Sequence, residues 1–471
     1  MADELPLTIG AAAEWVRSGR VSSVELTRAY LARAQRTQDS VGAFMAFTEE
    51  SAVAGAQRAD AEWAGGRDRG PLHGIPLGIK DILATRDAPT TANSHVLDPQ
   101  WGERDDATSV KKLREAGAVI LGKLVLHEFA IGSPDPDTGL RFARNPWDLA
   151  RLPGGSSSGT GAALAAGLIL GGLGTDTGGS IRGPASFCGI SGLKPTFGRV
   201  SKEGCVPLSY SLDHIGPMAR DMRDCAVLLQ TIAGYDPLDP CTVRRDVPVY
   251  ADALSGSVRG LRIGVPRQYF FDSPELNPEV LGAVNQALEE LARAGAVVRD
   301  VALPHAAAAR IAQRVIMLGE AYAYHQADLA RQPHKYGKYT RRQVLQGALY
   351  SAADYVQAQR MRSIVVAEVR EVMQDVDVLI TPTSVTVAPI FEGYDPDSMR
   401  RAPSYMAMWN VTGQPAASVC CGFSTEGLPI GLQIVGKPFD EATVLRVGDA
   451  YQRLTDWHLR MPADVAEVQP A

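Results

Sequence analysis

The spacing of hydrophobic residues near the start of the chain is helical. Ser22 and Glu25 have the S-x-x-E spacing of a helix capping box, in which the two side chains satisfy free backbone N–H groups. Leu26, Tyr30 and Leu31 continue an apolar stripe along one face of the same predicted helix. We therefore expect helices over about residues 1–65, packed against the rest of the fold.

Beyond this segment, amphipathic stretches alternate with short apolar runs. The predicted helices cover residues 109–115, 161–166, 278–294 and 355–373, and the predicted strands cover residues 118–121, 168–173, 296–298, 376–380, 416–420 and 430–435. Such alternation predicts an α/β fold in which a large mixed sheet is layered between helices on both faces. Because no linker or internal repeat interrupts the pattern, we expect a single domain over residues 1–471.

Composition and charge exclude several classes of protein. The 471 residues are 45% hydrophobic and 21% charged, which is typical of a globular chain and not of a disordered or fibrous one. The net charge of −6 leaves no basic excess for binding nucleic acid. The apolar run 162–174 is shorter than the roughly 20 residues of a membrane span, and the acidic start is unlike a secretory signal. We expect a cytoplasmic protein without nucleic acid or membrane as partner.

Cysteine and histidine spacings indicate neither a disulfide framework nor a metal site. None of the six cysteines forms a C-x-x-C pair, and the eight histidines lack close spacings such as H-E-x-x-H. Cys188 lies among apolar residues, which is typical of a buried packing thiol. We therefore expect reduced cysteines and no bound metal ion.

A glycine-rich region over residues 152–199 resembles three familiar motifs, each of them imperfectly. Residues 154–160 have P-loop spacing, but Thr160 stands where the phosphate-binding lysine is required. Residues 172–178 have an additional residue between the second and third glycine of a dinucleotide-binding loop. Residues 155–159 match the G-x-S-x-G nucleophile elbow, but no buried strand precedes them.

Lys80 is a candidate base for serine chemistry, because it lies within the mainly apolar stretch 74–83. A serine hydroxyl becomes nucleophilic when a neighbouring base takes its proton, and a lysine can be that base if burial lowers its pKa. On spacing alone, a salt bridge at the end of a strand is the commoner explanation for such a lysine.

Several motifs together resemble those of the amidase signature family. The matching segments are GIPLGIKD at 74–81, NPWD at 145–148, PGGSSSG at 153–159, GTDTGGSIRGPASFCGISGLKPTFGRVS at 174–201, SLDHIGPMARD at 211–221 and GLPIGLQIVGKPFDE at 427–441. The resemblance spans nearly the whole chain and implies the family's fold, with a signature core over about residues 70–221. It also implies catalysis without a metal or organic cofactor.

By this resemblance, the family's Ser-cisSer-Lys triad falls on Ser180 as nucleophile, Ser156 as bridging serine and Lys80 as base. Ser157 is the next candidate should Ser180 not be the nucleophile, and otherwise supports the site. The loop departs from the family's common GGSSGG, because Ser158 is an additional serine. Since Ser156 keeps its place, the triad is still expected to form.

Backbone N–H groups next to the nucleophile are expected to form the oxyanion hole. In the family these groups belong to the residues that correspond to Thr177, Gly178, Gly179 and Ser180. Glycine suits this place, because no side chain then obstructs the amides that face a developing negative charge.

Four further residues are expected to support the site or to contact the substrate. Asp176 and Arg182 flank the nucleophile, and we expect them to hold the glycine-rich loop through hydrogen bonds. In the family, the loop before NPWD lines the acyl pocket. Ile131 and Gly132 lie in that loop here and are therefore expected to contact the substrate.

The resemblance implies a hydrolase of carboxylic amides that works through an acyl-enzyme. Aliphatic amides, anilides, carbamates (urethanes) and esters all remain open as substrates, and the expected partner is a small-molecule amide bound by a monomer or homodimer. The motifs are also similar to those of the glutaminase component of glutamyl-tRNA(Gln) amidotransferase, its A subunit, which would release ammonia from glutamine within a complex. The aromatic and thioether-rich segment 402–410 favours the amidase, because it suits apolar acyl groups.

Overall fold

The structure is a computed structural model that describes residues 5–395 and 401–463. Within these residues, eleven strands form one mixed sheet. The strands are β1 (Phe44–Phe47), β2 (Pro76–Lys80), β3 (Val119–Leu124), β4 (Gly171–Asp176), β5 (Ser191–Lys194), β6 (His214–Ala219), β7 (Arg262–Pro266), β8 (Val297–Val301), β9 (Val378–Pro382), β10 (Ala416–Phe423) and β11 (Pro429–Gly436). The predicted α/β class is confirmed.

Helices lie on both faces of this sheet, as the alternating pattern predicts. They are α1 (Ile9–Arg17), α2 (Ser23–Arg36), α3 (Gln38–Val41), α4 (Glu49–Ala64), α5 (Pro99–Gly102), α6 (Thr108–Glu115), α7 (Ser158–Ala165), α8 (Arg182–Cys188), α9 (Met222–Ile232), α10 (Arg267–Phe270), α11 (Pro278–Arg293), α12 (Ala306–Arg331), α13 (Lys338–Gln346), α14 (Ala352–Asp375), α15 (Ala407–Val411) and α16 (Glu441–Leu454). The capping box at Ser22 and Glu25 is present at the start of α2.

The order of the strands is β1-β3-β2-β4-β6-β5-β10-β11-β9-β7-β8. At one end of the sheet, β3, β2 and β4 run parallel to one another. At the other end, β9, β7 and β8 are also parallel, whereas every pair between β4 and β9 is antiparallel. Because parallel neighbours end at the same edge of a sheet, the loops after β2 and β4 lie together.

The prediction that the first 65 residues are helical is wrong at one place. Between α3 and α4, Phe44–Phe47 forms β1, which pairs antiparallel with β3 and places Phe44 opposite Leu124. This four-residue apolar run is too short to give a strand signal of its own, and its conformation depends on a partner far along the chain. The first four residues lie outside the described part.

The helix that follows the predicted nucleophile lies directly on the centre of the sheet. A Cβ atom on Gly192 of β5 would come within 2.8 Å of Ile181, and one on Gly431 of β11 would overlap Ser186 of α8. The two glycines therefore let α8 and the preceding residue Ile181 lie close against the sheet. Among the described helices, none combines the length and the apolar character that crossing a bilayer requires.

Candidate active site

Two neighbouring parallel strands bring Lys80 next to the turn that carries Ser180. Lys80 is the last residue of β2, and Ser180 lies four residues after the end of β4. The two strands pair with Ile79 opposite Leu173, so both end at the same edge of the sheet. The site is therefore assembled where crevices form in sheets of this kind, at the carboxyl ends of parallel strands.

Two hydroxyl groups contact the amino group of Lys80. Its Nζ lies 2.8 Å from Ser156 Oγ and 2.7 Å from Thr175 Oγ1. The side chain is completely buried. The structure thus joins the predicted base to the predicted bridging serine, and it adds a threonine that the sequence did not indicate.

Burial lowers the pKa of Lys80 from its ordinary value of 10.5 to about 7, although nearby Cys205, Asp176 and Asp213 act to raise it. The neighbouring carboxylate of Asp81 points elsewhere, because its Oδ1 lies 2.8 Å from Lys123 Nζ. A substantial fraction of Lys80 is therefore neutral near pH 7, with a lone pair that can accept a proton.

Ser156 lies in the turn before α7, and its peptide bond with Gly155 is cis. The Ser156 carbonyl oxygen accepts a hydrogen bond of 3.1 Å from the His127 backbone N–H. The His127 ring packs against Gly155 so closely that a Cβ atom there would overlap it. Glycine at 155 is therefore required by this contact.

Ser157 connects the loop of Ser156 to the loop of Ser180. Its backbone N–H donates to the Ser180 carbonyl oxygen at 3.3 Å, and its hydroxyl donates to the Thr175 carbonyl oxygen at 3.2 Å. The additional Ser158 is the first residue of α7 and is buried. It leaves Ser156 in contact with Lys80.

Asp176 and Arg182 form a fully buried ion pair beneath the turn of Ser180. The carboxylate accepts hydrogen bonds from Arg182 Nε at 3.0 Å and from Arg182 Nη2 at 2.9 Å. It also accepts the backbone N–H groups of Gly179 and Ile181, at 2.7 and 3.2 Å. Burial acts to raise the pKa of Asp176, but the Arg182 guanidinium outweighs it and holds that pKa well below its usual range.

The expected set of oxyanion-hole donors changes in one respect. The Gly179 N–H donates to Asp176 and is not free for a substrate, because a backbone amide has only one proton to donate. Across the described part of the chain, the N–H groups of Thr177, Gly178 and Ser180 meet no acceptor in hydrogen-bond geometry. These three groups remain candidate donors to an oxyanion.

A cavity of about 290 Å³ contains both predicted catalytic serines. Its apolar wall is formed by Ile131, Leu152, Phe187, Leu208, Met317 and Met406. Gly132, Thr177, Gly178 and Gln313 also line it, so the expected substrate contacts Ile131 and Gly132 do border the cavity. Among the described lining residues there is no aspartate, glutamate, lysine or arginine.

Among the lining residues that the structure describes, His127 is the one side chain that can carry a positive charge. Its burial lowers its pKa from 6.5 to about 4, and the nearby Lys80 acts in the same direction. In the part of the chain described, no group of three or more His, Cys, Asp or Glu side chains could hold a metal ion. Cys188 is buried and its thiol has a pKa raised by burial.

The expectation that segment 402–410 lines the substrate pocket is largely wrong. Met406 borders the cavity, but Trp409 is completely buried and stacks on Phe270, with ring centroids 5.9 Å apart. Arg182 donates to the Met406 carbonyl oxygen and to Asn410 Oδ1, so this segment mainly supports the ion pair under the turn of Ser180.

The sequence analysis did not identify three residues that lie near the predicted triad: Thr175, His127 and Gln313. Thr175 lies within a matched motif, one residue before Asp176, but nothing in that motif indicates a contact with Lys80. His127 and Gln313 lie in segments without a motif, and they reach the cavity through the fold alone.

Comparisons with known proteins agree with this fold. The family model described as Amidase matches residues 25–445. A Chloroflexus aurantiacus protein that bears the name of the glutamyl-tRNA(Gln) amidotransferase A subunit is 45% identical, over 97% of this chain and 98% of the relative. The native peptide amidase of Stenotrophomonas maltophilia superposes with a TM-score of 0.84 at 33% identity, over 96% of this chain and 98% of that one.

A further solved structure comes from a vestigial protein complex that concerns the origins of an s-triazine catabolic enzyme. It superposes with a TM-score of 0.89 at 34% identity, over 95% of this chain and 98% of that one. The chain belongs to the amidase family, which confirms the resemblance drawn from the motifs. It is an enzyme that acts on carbon–nitrogen bonds of amides.

Proposed function

We propose that this chain cleaves carboxylic amides with Ser180 as nucleophile, Ser156 as bridging serine and Lys80 as base. The observation that carries this proposal is the 2.8 Å contact between Lys80 Nζ and Ser156 Oγ. It is supported by the pKa of about 7 for Lys80 and by the cavity that Ser156 and Ser180 share. A serine with such a base next to it can be activated without histidine.

In the proposed reaction, Ser180 Oγ attacks the amide carbonyl carbon while its proton passes to Ser156 and the Ser156 proton passes to neutral Lys80. The oxyanion accepts hydrogen bonds from free backbone N–H groups of the turn. When the C–N bond breaks, the proton returns through Ser156 to the leaving nitrogen. Water then attacks the ester on Ser180, and the same relay accepts its proton and returns one to Ser180 Oγ.

For the substrate we favour an uncharged amide of small or medium size. The described lining is largely apolar and has no charged partner for an ionic substrate group. Free glutamine carries an ammonium and a carboxylate, and burying either without a partner costs several kcal/mol by order of magnitude. Aliphatic amides, anilides and carbamates each fit this description, and the chain would act alone in the cytoplasm as one domain, as a monomer or homodimer.

A second candidate is the A subunit of a glutamyl-tRNA(Gln) amidotransferase. The 45% identity to a relative of that name, over nearly the whole of both chains, favours this candidate more than the first. Such a subunit would use the same triad chemistry on glutamine, and this candidate function implies further subunits. Trp409 does not line the cavity, so the argument that segment 402–410 disfavours glutamine no longer holds. The uncharged described lining of the cavity is the observation that still favours the first candidate.

Labelling and kinetics test the proposed chemistry. A serine-directed fluorophosphonate should label Ser180, as located by mass spectrometry of the digested protein. Ser180→Ala should abolish labelling and nearly all turnover, while Ser156→Ala and Lys80→Ala should each lose several orders of magnitude without being additive. A folded Ser180→Ala variant with wild-type activity contradicts the assignment and makes Ser157 the next candidate.

A substrate panel separates the two candidates. The purified chain should hydrolyse neutral aliphatic amides, anilides or carbamates with a kcat/KM far above that for glutamine. Glutaminase activity restricted to a complex with co-purifying subunits would instead assign the chain to the amidotransferase.

A further inference from the structure

Gln313 connects helix α12 to the loop that holds the candidate oxyanion donors. The residue is only 7% exposed, and its Nε2 donates a hydrogen bond of 3.2 Å to the Thr177 carbonyl oxygen. Gln313 comes from outside every motif of the family resemblance. The side chain borders the substrate cavity as well, so it lies between the helix and the reacting centre.

The hydrogen bond to the Thr177 carbonyl fixes the direction of the next N–H group. The Thr177 carbonyl and the Gly178 N–H belong to one planar peptide unit, in which the two groups point in opposite directions because the bond is trans. A donor that holds the carbonyl oxygen therefore also orients the Gly178 N–H, which has no acceptor among the described residues.

The absence of a side chain at Gly178 leaves room for the same contact. A Cβ atom on Gly178 would lie 2.8 Å from Gln313 Nε2, which is closer than Cβ contacts in proteins. The glycine thus lets the Gln313 amide approach the peptide unit, in addition to leaving the N–H group unobstructed.

The side chain of Thr177 is held by a second contact. Its hydroxyl donates to Asp213 Oδ1 at 2.6 Å, and Asp213 Oδ2 accepts the backbone N–H groups of Leu208 and Ser209. The Asp213 contact restrains the Thr177 side chain, whereas the Gln313 contact restrains the peptide unit that carries the Gly178 N–H. Gln313 is therefore the residue whose loss would release that donor.

We propose that Gln313 is a positioning residue that orients the Gly178 N–H toward the oxyanion of the tetrahedral intermediate. This inference rests on the proposed serine mechanism. A preorganised donor stabilises charge that develops only in the transition state, so Gln313 supports kcat more than ground-state binding.

The direct test compares Gln313→Met, which keeps the approximate volume but removes the donor, with wild-type enzyme on one amide substrate. We expect kcat to fall about 10- to 100-fold, which is less than the loss of a whole oxyanion donor, with KM changed less than about threefold. Affinity for a trifluoromethyl ketone, which mimics the tetrahedral intermediate, should fall in parallel, while affinity for the product acid should not. A folded variant with wild-type kcat and wild-type ketone affinity overturns the proposal.

Gln313→Glu gives a second readout that a purely structural role would not change. The ionised carboxylate repels the Thr177 carbonyl, whereas the protonated carboxyl can donate to it. The ratio of variant to wild-type kcat should therefore rise at least about fivefold as the pH falls from about 8.5 to about 6. A ratio that does not depend on pH overturns the proposal. This test remains decisive even if the Gln313→Met variant does not fold.

Gln326→Glu is the matched control, because Gln326 is an exposed residue of the same helix, and among the described residues its amide donates to the Ala323 carbonyl alone. It should keep wild-type kcat and a constant ratio to wild type at every pH. Fluorophosphonate labelling of Ser180 in the wild-type enzyme separates failure of this inference from failure of the proposed function. If Ser180 is labelled and Gln313 variants keep full kcat, only the positioning role is wrong.

Discussion

Lys80 Nζ lies 2.7 Å from Thr175 Oγ1, a contact between two adjacent parallel strands. Since Nζ also contacts Ser156 Oγ at 2.8 Å, the lysine is held between a hydroxyl on the sheet and a hydroxyl on the loop before α7. A buried amine with two such partners keeps one orientation even when it is uncharged. Thr175 thus shares Lys80 with Ser156 as a contact, although the family motifs did not assign it a role.

Thr175→Val should lower activity by removing one of these two hydroxyls. We expect kcat to fall about 10-fold because Nζ is less firmly placed, and the low-pH limb of kcat/KM to move to lower pH. The direction follows because an accepting hydroxyl favours the ammonium form, and its loss lowers the pKa of Lys80 further. Rates measured across the pH range check both effects.

Thr160→Val is the control for this variant, since Thr160 is also buried and its hydroxyl contacts the Leu173 carbonyl oxygen instead of Lys80. Thr160→Val should leave the low-pH limb of kcat/KM at its wild-type position. A Thr175→Val enzyme with an unchanged limb and unchanged kcat would contradict the role of Thr175.

The pH dependence of wild-type kcat/KM should reflect the titration of Lys80. Activity should rise with pH as the ammonium loses its proton, with an apparent pKa of about 7. Lys80→Met should remove this limb together with most of the activity. If activity instead increases until above about pH 10, the usual range for an ammonium, Lys80 is not the base.

The buried pair of Asp176 and Arg182 should be essential to stability. Asp176→Asn leaves a buried guanidinium without its counter-charge, which we expect to lower the free energy of unfolding by about 3–5 kcal/mol. Urea unfolding followed by circular dichroism measures the loss. Asp300→Asn removes a partner from the exposed pair of Asp300 and Arg267, and should cost no more than about 1 kcal/mol.

The same pair predicts how stability depends on acidity. Because the folded-state pKa of Asp176 lies below that of the unfolded chain, its stabilising contribution is present above about pH 4 and is lost as the pH falls below that value. The difference in unfolding free energy between wild type and Asp176→Asn should therefore shrink at acidic pH. A difference that stays constant down to about pH 2 would show that the pair does not titrate in this way.

Gly155→Ala should disrupt the loop of Ser156, because the added methyl group would overlap the His127 ring. We expect kcat to fall at least about 100-fold, as for other displacements of a catalytic group by about 1 Å. Gly282→Ala is the control, since no other atom of the described residues lies within 4 Å of a Cβ atom at this position on α11. The double variant His127→Ala, Gly155→Ala should recover part of the loss if the overlap is its cause.

Much of the local structure follows from the sequence alone. The capping box of α2, the amphipathic pattern of α11 and the apolar runs of β9, β10 and β11 depend on residues close together in the chain, so short-range patterns predict them. The motifs identified the family and placed Lys80, Ser156 and Ser180 as candidates, because each motif is contiguous.

Other features depend on residues that are distant in sequence and meet only in the folded chain. Strand β1 forms because it pairs with β3 at the edge of the sheet, and Asp81 finds its ion-pair partner, Lys123, on the same neighbouring strand β3. The Gly179 N–H is removed from the expected oxyanion donors because it donates to Asp176 at the end of β4, whose carboxylate Arg182 holds in a buried ion pair. Thr175 reaches Lys80 through the parallel pairing of β2 with β4, and Gln313 reaches Thr177 through the packing of α12, neither of which any local pattern specifies.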